Sequence, residues 1–84
     1  MDIIAGVRSV LRETLSLGDR AYDLHSDSEL LGAVPELDSQ AVLSVLVGIE
    51  EQFGIAIDDD EVDAELFATL GSLVDLVNRK LHSD

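Results

Sequence analysis

Apolar residues recur at three- and four-residue steps in three separate stretches of this chain. That period is the mark of helices with one buried face. Ile3, Ile4, Val7, Val10, Leu11 and Leu15 set the first stretch, which predicts a helix over about 2–16 with Asp2 as cap and Gly18 as a left-handed terminator. A second helix over 39–53 follows Asp38, a good cap, and buries a stripe of Leu43, Val45, Leu46, Ile49 and Phe53 before Gly54 ends it. Val42 and Val47 fall off that stripe. A last helix over about 70–82 starts behind Thr69, with Leu70, Leu73, Val74, Val77 and Leu81 inward and Arg79 and Lys80 at the end that favours cations. Ile55-Ala56-Ile57 alternates as a strand does, but three residues with no partner strand form no sheet, so it reads as a connector. Asp58 to Glu61 then leads a short irregular helix near 64–68 that carries Leu66 and Phe67. The fold class is all-α: a small four-helix bundle of three main helices plus a short irregular third helix, with a long loop after the first.

That loop, 19–37, lacks sustained periodicity and is long for a compact domain. Ser26-Asp27-Ser28-Glu29 has the spacing of a capping box before Leu30-Leu31, which predicts one short helical turn. Pro35 holds Val34 out of helical geometry. Tyr22, Leu24, Leu30, Leu31, Val34 and Leu37 are the residues available to pin the loop to the core.

A chain of 84 residues suits a single domain, 1–84, with a modest core. It has no cysteine, so neither disulfides nor thiolate metal sites support it. No apolar run is long enough to span a membrane, and the N-terminus lacks the pattern of a signal peptide, so a cytoplasmic protein is expected. The net charge of −13 makes nucleic acid an unsuitable partner, because phosphate binding rests on Lys and Arg. Arg8, Arg12 and Arg20 lie early and Arg79 and Lys80 late, with no Lys or Arg between. Such a charge keeps a protein soluble by self-repulsion, and it also steers basic partners.

Asp58, Asp60, Asp63 and Glu65 invite a calcium reading, which fails. Counted from Asp58 as position 1, an EF-hand loop needs an oxygen ligand at 5, glycine at 6 and glutamate at 12, where this chain has Val62, Asp63 and Thr69. No metal site is expected. Ser39 has no Gly-x-Ser-x-Gly elbow around it, and His25 and His82 lie in a loop and in the tail, so no catalytic residues are expected and the chain does not read as an enzyme. Serine at the start of a helix is commonly a cap. Here Asp38 already supplies one, which frees the Ser39 hydroxyl for another role.

Leu37-Asp38-Ser39 at the head of the second helix resembles the attachment motif of the acyl carrier protein family, including the related peptidyl carrier domains. The resemblance continues through Glu50-Glu51-Gln52-Phe53-Gly54-Ile55, Asp58-Asp59, Phe67-Ala68-Thr69-Leu70 and Leu73-Val74, and so covers nearly the whole chain. It implies that Ser39, supported by Asp38, takes 4′-phosphopantetheine from coenzyme A through a phosphopantetheinyl transferase. The arm would then carry acyl intermediates of fatty acid or lipid biosynthesis as thioesters between loading and accepting enzymes, the carrier itself being a monomer. A phosphate at a helix N-terminus is well placed, since free N–H groups and the dipole favour an anion. The resemblance also implies an interior lined by Leu43, Leu46, Ile49, Phe53, Leu66 and Leu73 that admits part of an acyl chain.

The chain departs from its relatives just after Ser39. Gln40 stands where leucine is common, and Ala41 and Ser44 stand where fatty-acid carriers usually have acids. The expected partner face is Gln40, Val42, Val47, Glu50 and Glu51, with an acidic rim of Asp58, Asp59, Asp60 and Glu61, suited to basic or apolar docking surfaces. These departures point to a specialised role, and Pro35-Glu36-Leu37-Asp38-Ser39 looks like the carriers of exosortase and exopolysaccharide systems. Two other readings stay open on sequence alone: a peptidyl carrier, and an unmodified acidic adaptor that only binds through its second helix.

Overall fold

The computed structural model describes residues 2–82, apart from the side chain of Asp59. Three helices carry the fold: α1 (Ile3–Leu15), α2 (Ser39–Phe53) and α3 (Leu70–Leu81). Each begins where a side chain can satisfy free amides. Asp2 accepts from the Ala5 amide (3.2 Å), Asp38 from that of Ala41 (2.8 Å) and Thr69 from that of Ser72 (3.2 Å). Gly54 ends α2 in the left-handed conformation, φ 65°, as its place in the sequence predicts. The end of α1 differs: Ser16 takes the left-handed position at φ 55°, two residues before the expected Gly18.

The fold is all-α, and no strand occurs among the described residues. One turn of 3-10 helix, Asp59–Glu61, stands between α2 and α3, a few residues ahead of the expected third helix. Residues 64–68 are consecutive turns instead. The Leu66 amide bonds the Asp63 carbonyl at 3.2 Å and the Ala68 amide that of Glu65 at 3.1 Å, three-residue steps that an α-helix does not continue. A second 3-10 helix, Gly18–Asp23, begins the long loop and has no periodic signal in the sequence.

The rest of the loop is held by pairing at a distance. The Leu30 amide bonds the Ala68 carbonyl (3.1 Å) and that of Leu31 bonds Phe67 (2.9 Å). In return the Leu70 and Gly71 amides bond the carbonyls of Ser28 (3.0 Å) and Ser26 (2.9 Å). These bonds satisfy the first turn of α3, and Glu29 makes an isolated bridge with Thr69. The Ser26–Glu29 spacing forms no capping box; Ser28 accepts from the His25 amide instead, at 2.9 Å. The single turn expected ahead of Pro35 is present: the Leu30 carbonyl accepts from the amides of Ala33 (3.2 Å) and Val34 (2.9 Å).

Among the described residues, every fully buried one is hydrophobic. Val7, Leu11, Ala21, Val45, Ile49, Leu70, Leu73 and Val77 are wholly excluded from solvent, and Phe67 nearly so. Each such side chain contributes roughly 1.5–3 kcal/mol, less for alanine. Helices α1 and α2 approach closely through glycine. A Cβ on Gly48 would lie 2.8 Å from Val10 Cγ1, and one on Gly6 would lie 2.6 Å from Phe53 Cζ. No helix is long and apolar enough to cross a membrane among the described residues.

Three expected core residues lie outside it. Leu43 is 65 % exposed, Tyr22 63 % and Leu31 45 %. Leu43 therefore does not belong to the interior lining, whereas Leu46, Ile49, Leu66 and Leu73 are buried and Phe53 is half-buried. Tyr22 packs under the Arg12 guanidinium, 5.4 Å from the ring centroid, instead of entering the core.

Candidate functional site

The junction at Ser39 is fixed from both sides. Leu37 is buried and its amide bonds the Val34 carbonyl at 3.0 Å. Asp38 is extended (φ −110°, ψ −174°) and bonds the Ala41 amide. The first backbone bond of the helix runs from the Val42 amide to the Asp38 carbonyl, 2.9 Å. Ser39 is thus the first helical residue and is exposed, at the positive end of the α2 dipole. Ser39 and Gln40 precede the first intrahelical donor, so their amides have no carbonyl partner within the helix.

Beside Ser39 lies an open groove of about 490 Å³ lined by Leu31, Asp38, Ser39, Val42, Val62, Asp63, Ala64 and Phe67. Its wall is mostly apolar, and no histidine belongs to it. A larger groove of about 590 Å³ opens on Asp60, Glu61, Asp63, Glu65 and Asp75 and shares only Asp63 with the first. Among the described residues, no group of three or more acids and histidines is arranged to hold a metal ion.

The residues expected on the partner face divide. Gln40, Val47 and Glu51 are exposed, and Val47 stands one turn beyond Leu43 on the side that carries Ser39. Val42 is half-buried and walls the groove. Glu50 is half-buried too, its Oε2 accepting from the Ile57 amide at 2.8 Å, so it fastens the connector to α2. Asp58 and Asp60 are exposed, while Glu61 pairs with Lys80 and accepts from the Asp58 amide at 3.1 Å. The Asp59 side chain lies outside the described residues. Glu61's carboxyl sits below its ordinary pKa, chiefly through the Lys80 hydrogen bond.

Sequence reasoning missed Leu31, Val62 and Phe67 as groove residues, because the fold of the aperiodic segments brings them there. It also missed Leu43, for which a signal exists: Ser39, Leu43 and Val47 are four residues apart, so a helix that exposes two of them exposes the third. The pairing of Arg20 with Glu36 across the loop was not foreseen either. That contact holds the Glu36 carboxyl below its usual pKa, the Arg20 hydrogen bond being the main cause.

The molecule is a small helical bundle that presents Ser39, exposed, at a helix start beside an apolar groove. Residues 5–77 match the family described as the phosphopantetheine attachment site. The chain is also similar to a holo acyl carrier protein from Nitrosomonas europaea, known from a solution NMR structure. The two are 47 % identical with a TM-score of 0.91, over 96 % of this chain and 98 % of that one. No curated protein matches the sequence. The chain belongs to the phosphopantetheine-binding carrier family, whose members are non-catalytic and whose working group is phosphopantetheine. The site fits that group: an exposed serine oxygen, free amides and a dipole for a phosphate, and a groove that can lodge an uncharged chain.

Proposed function

We propose that this chain is an acyl carrier protein and that Ser39 is its attachment residue. In the attachment the Ser39 oxygen forms a new bond to the β-phosphorus of coenzyme A. The pyrophosphate bond breaks, 3′,5′-ADP leaves, and the hydroxyl proton passes to a base of the phosphopantetheinyl transferase. Asp38 caps the first turn of α2, on which the exposed Ser39 stands. The bound arm supplies a thiol that carries acyl groups as thioesters. The observation that carries the reading is the exposed Ser39 hydroxyl on the first residue of a helix already capped by Asp38.

Partner enzymes would approach along the exposed side of α2, over Ser39, Gln40, Leu43, Val47 and Glu51. The centre of that strip is apolar, with Asp38 at one end and Glu51 at the other, and Ala41 and Ser44 add no charge. It suits a partner with an apolar seat flanked by cations. This favours a specialised lipid or polysaccharide-linked role over bulk fatty acid synthesis.

Incubation with coenzyme A and a broad-specificity transferase tests the proposal. Intact mass should rise by one phosphopantetheinyl group, and Ser39→Ala should abolish the gain. An unchanged mass with a transferase that modifies a control carrier would sink it.

A further inference from the structure

We propose that Arg20 and Glu36 act as positioning residues for the modification of Ser39, by clasping the segment that leads into α2. The inference rests on Ser39 being the attachment residue. Glu36 stands three positions before Ser39, in a stretch without regular structure. Leu37 is buried on one side of that stretch, and the Arg20–Glu36 ion pair fastens it on the other. Arg20 is itself on a firm base. Its own amide bonds the Leu17 carbonyl at 3.2 Å, and its neighbours Leu17 and Ala21 are buried. The two partners stand sixteen positions apart in the chain. The pair thus closes most of the long loop onto the 3-10 helix Gly18–Asp23.

Glu36 is committed to this contact. Oε2 takes the Arg20 bond, while Oε1 is buried without a hydrogen-bond partner. A carboxylate seated in that way resists other rotamers only while Arg20 holds it. Without the clasp, Pro35 to Asp38 would keep the Leu37 anchor and the Asp38 cap but lose the fastening between them and the 3-10 helix, and would sample a wider range of approaches to α2. A transferase binds the approach that presents the serine oxygen. A smaller competent fraction raises the apparent KM in proportion and leaves kcat alone.

Transferase kinetics by intact mass test this. Because the Arg20 side chain is 58 % exposed, the expected effect is modest: KM for the carrier should rise about two- to five-fold in Arg20→Ala and in Glu36→Gln, with kcat kept. The exchanged pair, Arg20→Glu with Glu36→Arg, should return KM toward that of the unaltered chain. Direct reading of either charge by the transferase would predict no such rescue. Amide exchange at Leu37 should quicken in both single variants and slow again in the exchanged pair. Unchanged KM in both single variants, or an exchanged pair no better than the two defects combined, overturns the proposal. If the unaltered chain takes no arm at all, the attachment reading and the positioning role fall together. The clasp itself is then decided by Leu37 exchange, and an unchanged rate in Arg20→Ala disproves it.

Discussion

Leu43 shows what one residue can decide. A leucine on the buried stripe of a helix costs about 2–5 kcal/mol when cut back. The same leucine at 65 % exposure contributes almost nothing to folding. Leu43→Ser should therefore shift stability by no more than about 0.5 kcal/mol, read by thermal unfolding. Transfer of cargo to a docking enzyme should fall in the same variant. Gly48 makes the opposite case. Alanine there gains up to about 1 kcal/mol of helix propensity. Its Cβ would sit 2.8 Å from Val10 Cγ1, a stiff β-branched side chain that is itself buried. Overpacking of that kind costs about 1–3 kcal/mol, so Gly48→Ala should be net destabilising by about 1 kcal/mol in chemical denaturation. In a Val10→Ala background, itself less stable, Gly48→Ala should cost less than it does in the unaltered chain, a difference that a double-mutant cycle reads.

The three helices were legible in the sequence because their causes are local: a cap, a period and a terminator lie within a few residues of each other. Asp38, Thr69 and Gly54 each do in the structure what their positions predict. The loop was illegible because its order comes from partners roughly forty residues away. Ser26 to Leu31 pairs with Phe67 to Gly71, and no short-range rule announces that pairing. The same pairing explains why residues 64–68 stop at single turns: the Phe67 and Ala68 carbonyls accept from the loop and not from a following helical turn. At the site, Ser39 and Asp38 were readable from motif and position, whereas the groove wall depended on where the loop and the 62–67 segment meet α2. Gly71 tests the pairing. A Cβ there would lie 2.9 Å from the Ser26 carbonyl oxygen, which is backbone and cannot swing aside. Gly71→Ala should cost about 1–3 kcal/mol, with faster amide exchange at Leu30 and Leu31 and unchanged helix content.

For the molecule as a whole, the question is how a chain of net charge −13 holds its irregular segments in place. It has five cations, and three of them fasten such segments. Arg12 reaches from α1 to the Gly18 carbonyl at 3.3 Å and covers Tyr22. Arg20 holds Glu36, and Lys80 holds Glu61. The acids are in excess, so each of these cations fixes a particular carboxylate or carbonyl among many. The Lys80–Glu61 contact ties the 3-10 turn before α3 to the far end of that helix. Its hydrogen bonds lower the folded-state pKa of Glu61 below the ordinary 4.5, the Lys80 bond first and the Asp58 amide second. A depressed pKa sets the sign of the linkage: the stabilisation is complete above the unfolded value and is lost as pH falls through the folded one. The difference in unfolding temperature between this chain and its Glu61→Gln variant should be full at neutral pH, hold down to about 4.5, and vanish at more acid pH. High salt should shrink it at neutral pH as well, because Glu61 and Lys80 are both partly open to solvent. A difference that persisted undiminished in acid would mean that the glutamate side chain, and not its charge, secures the turn.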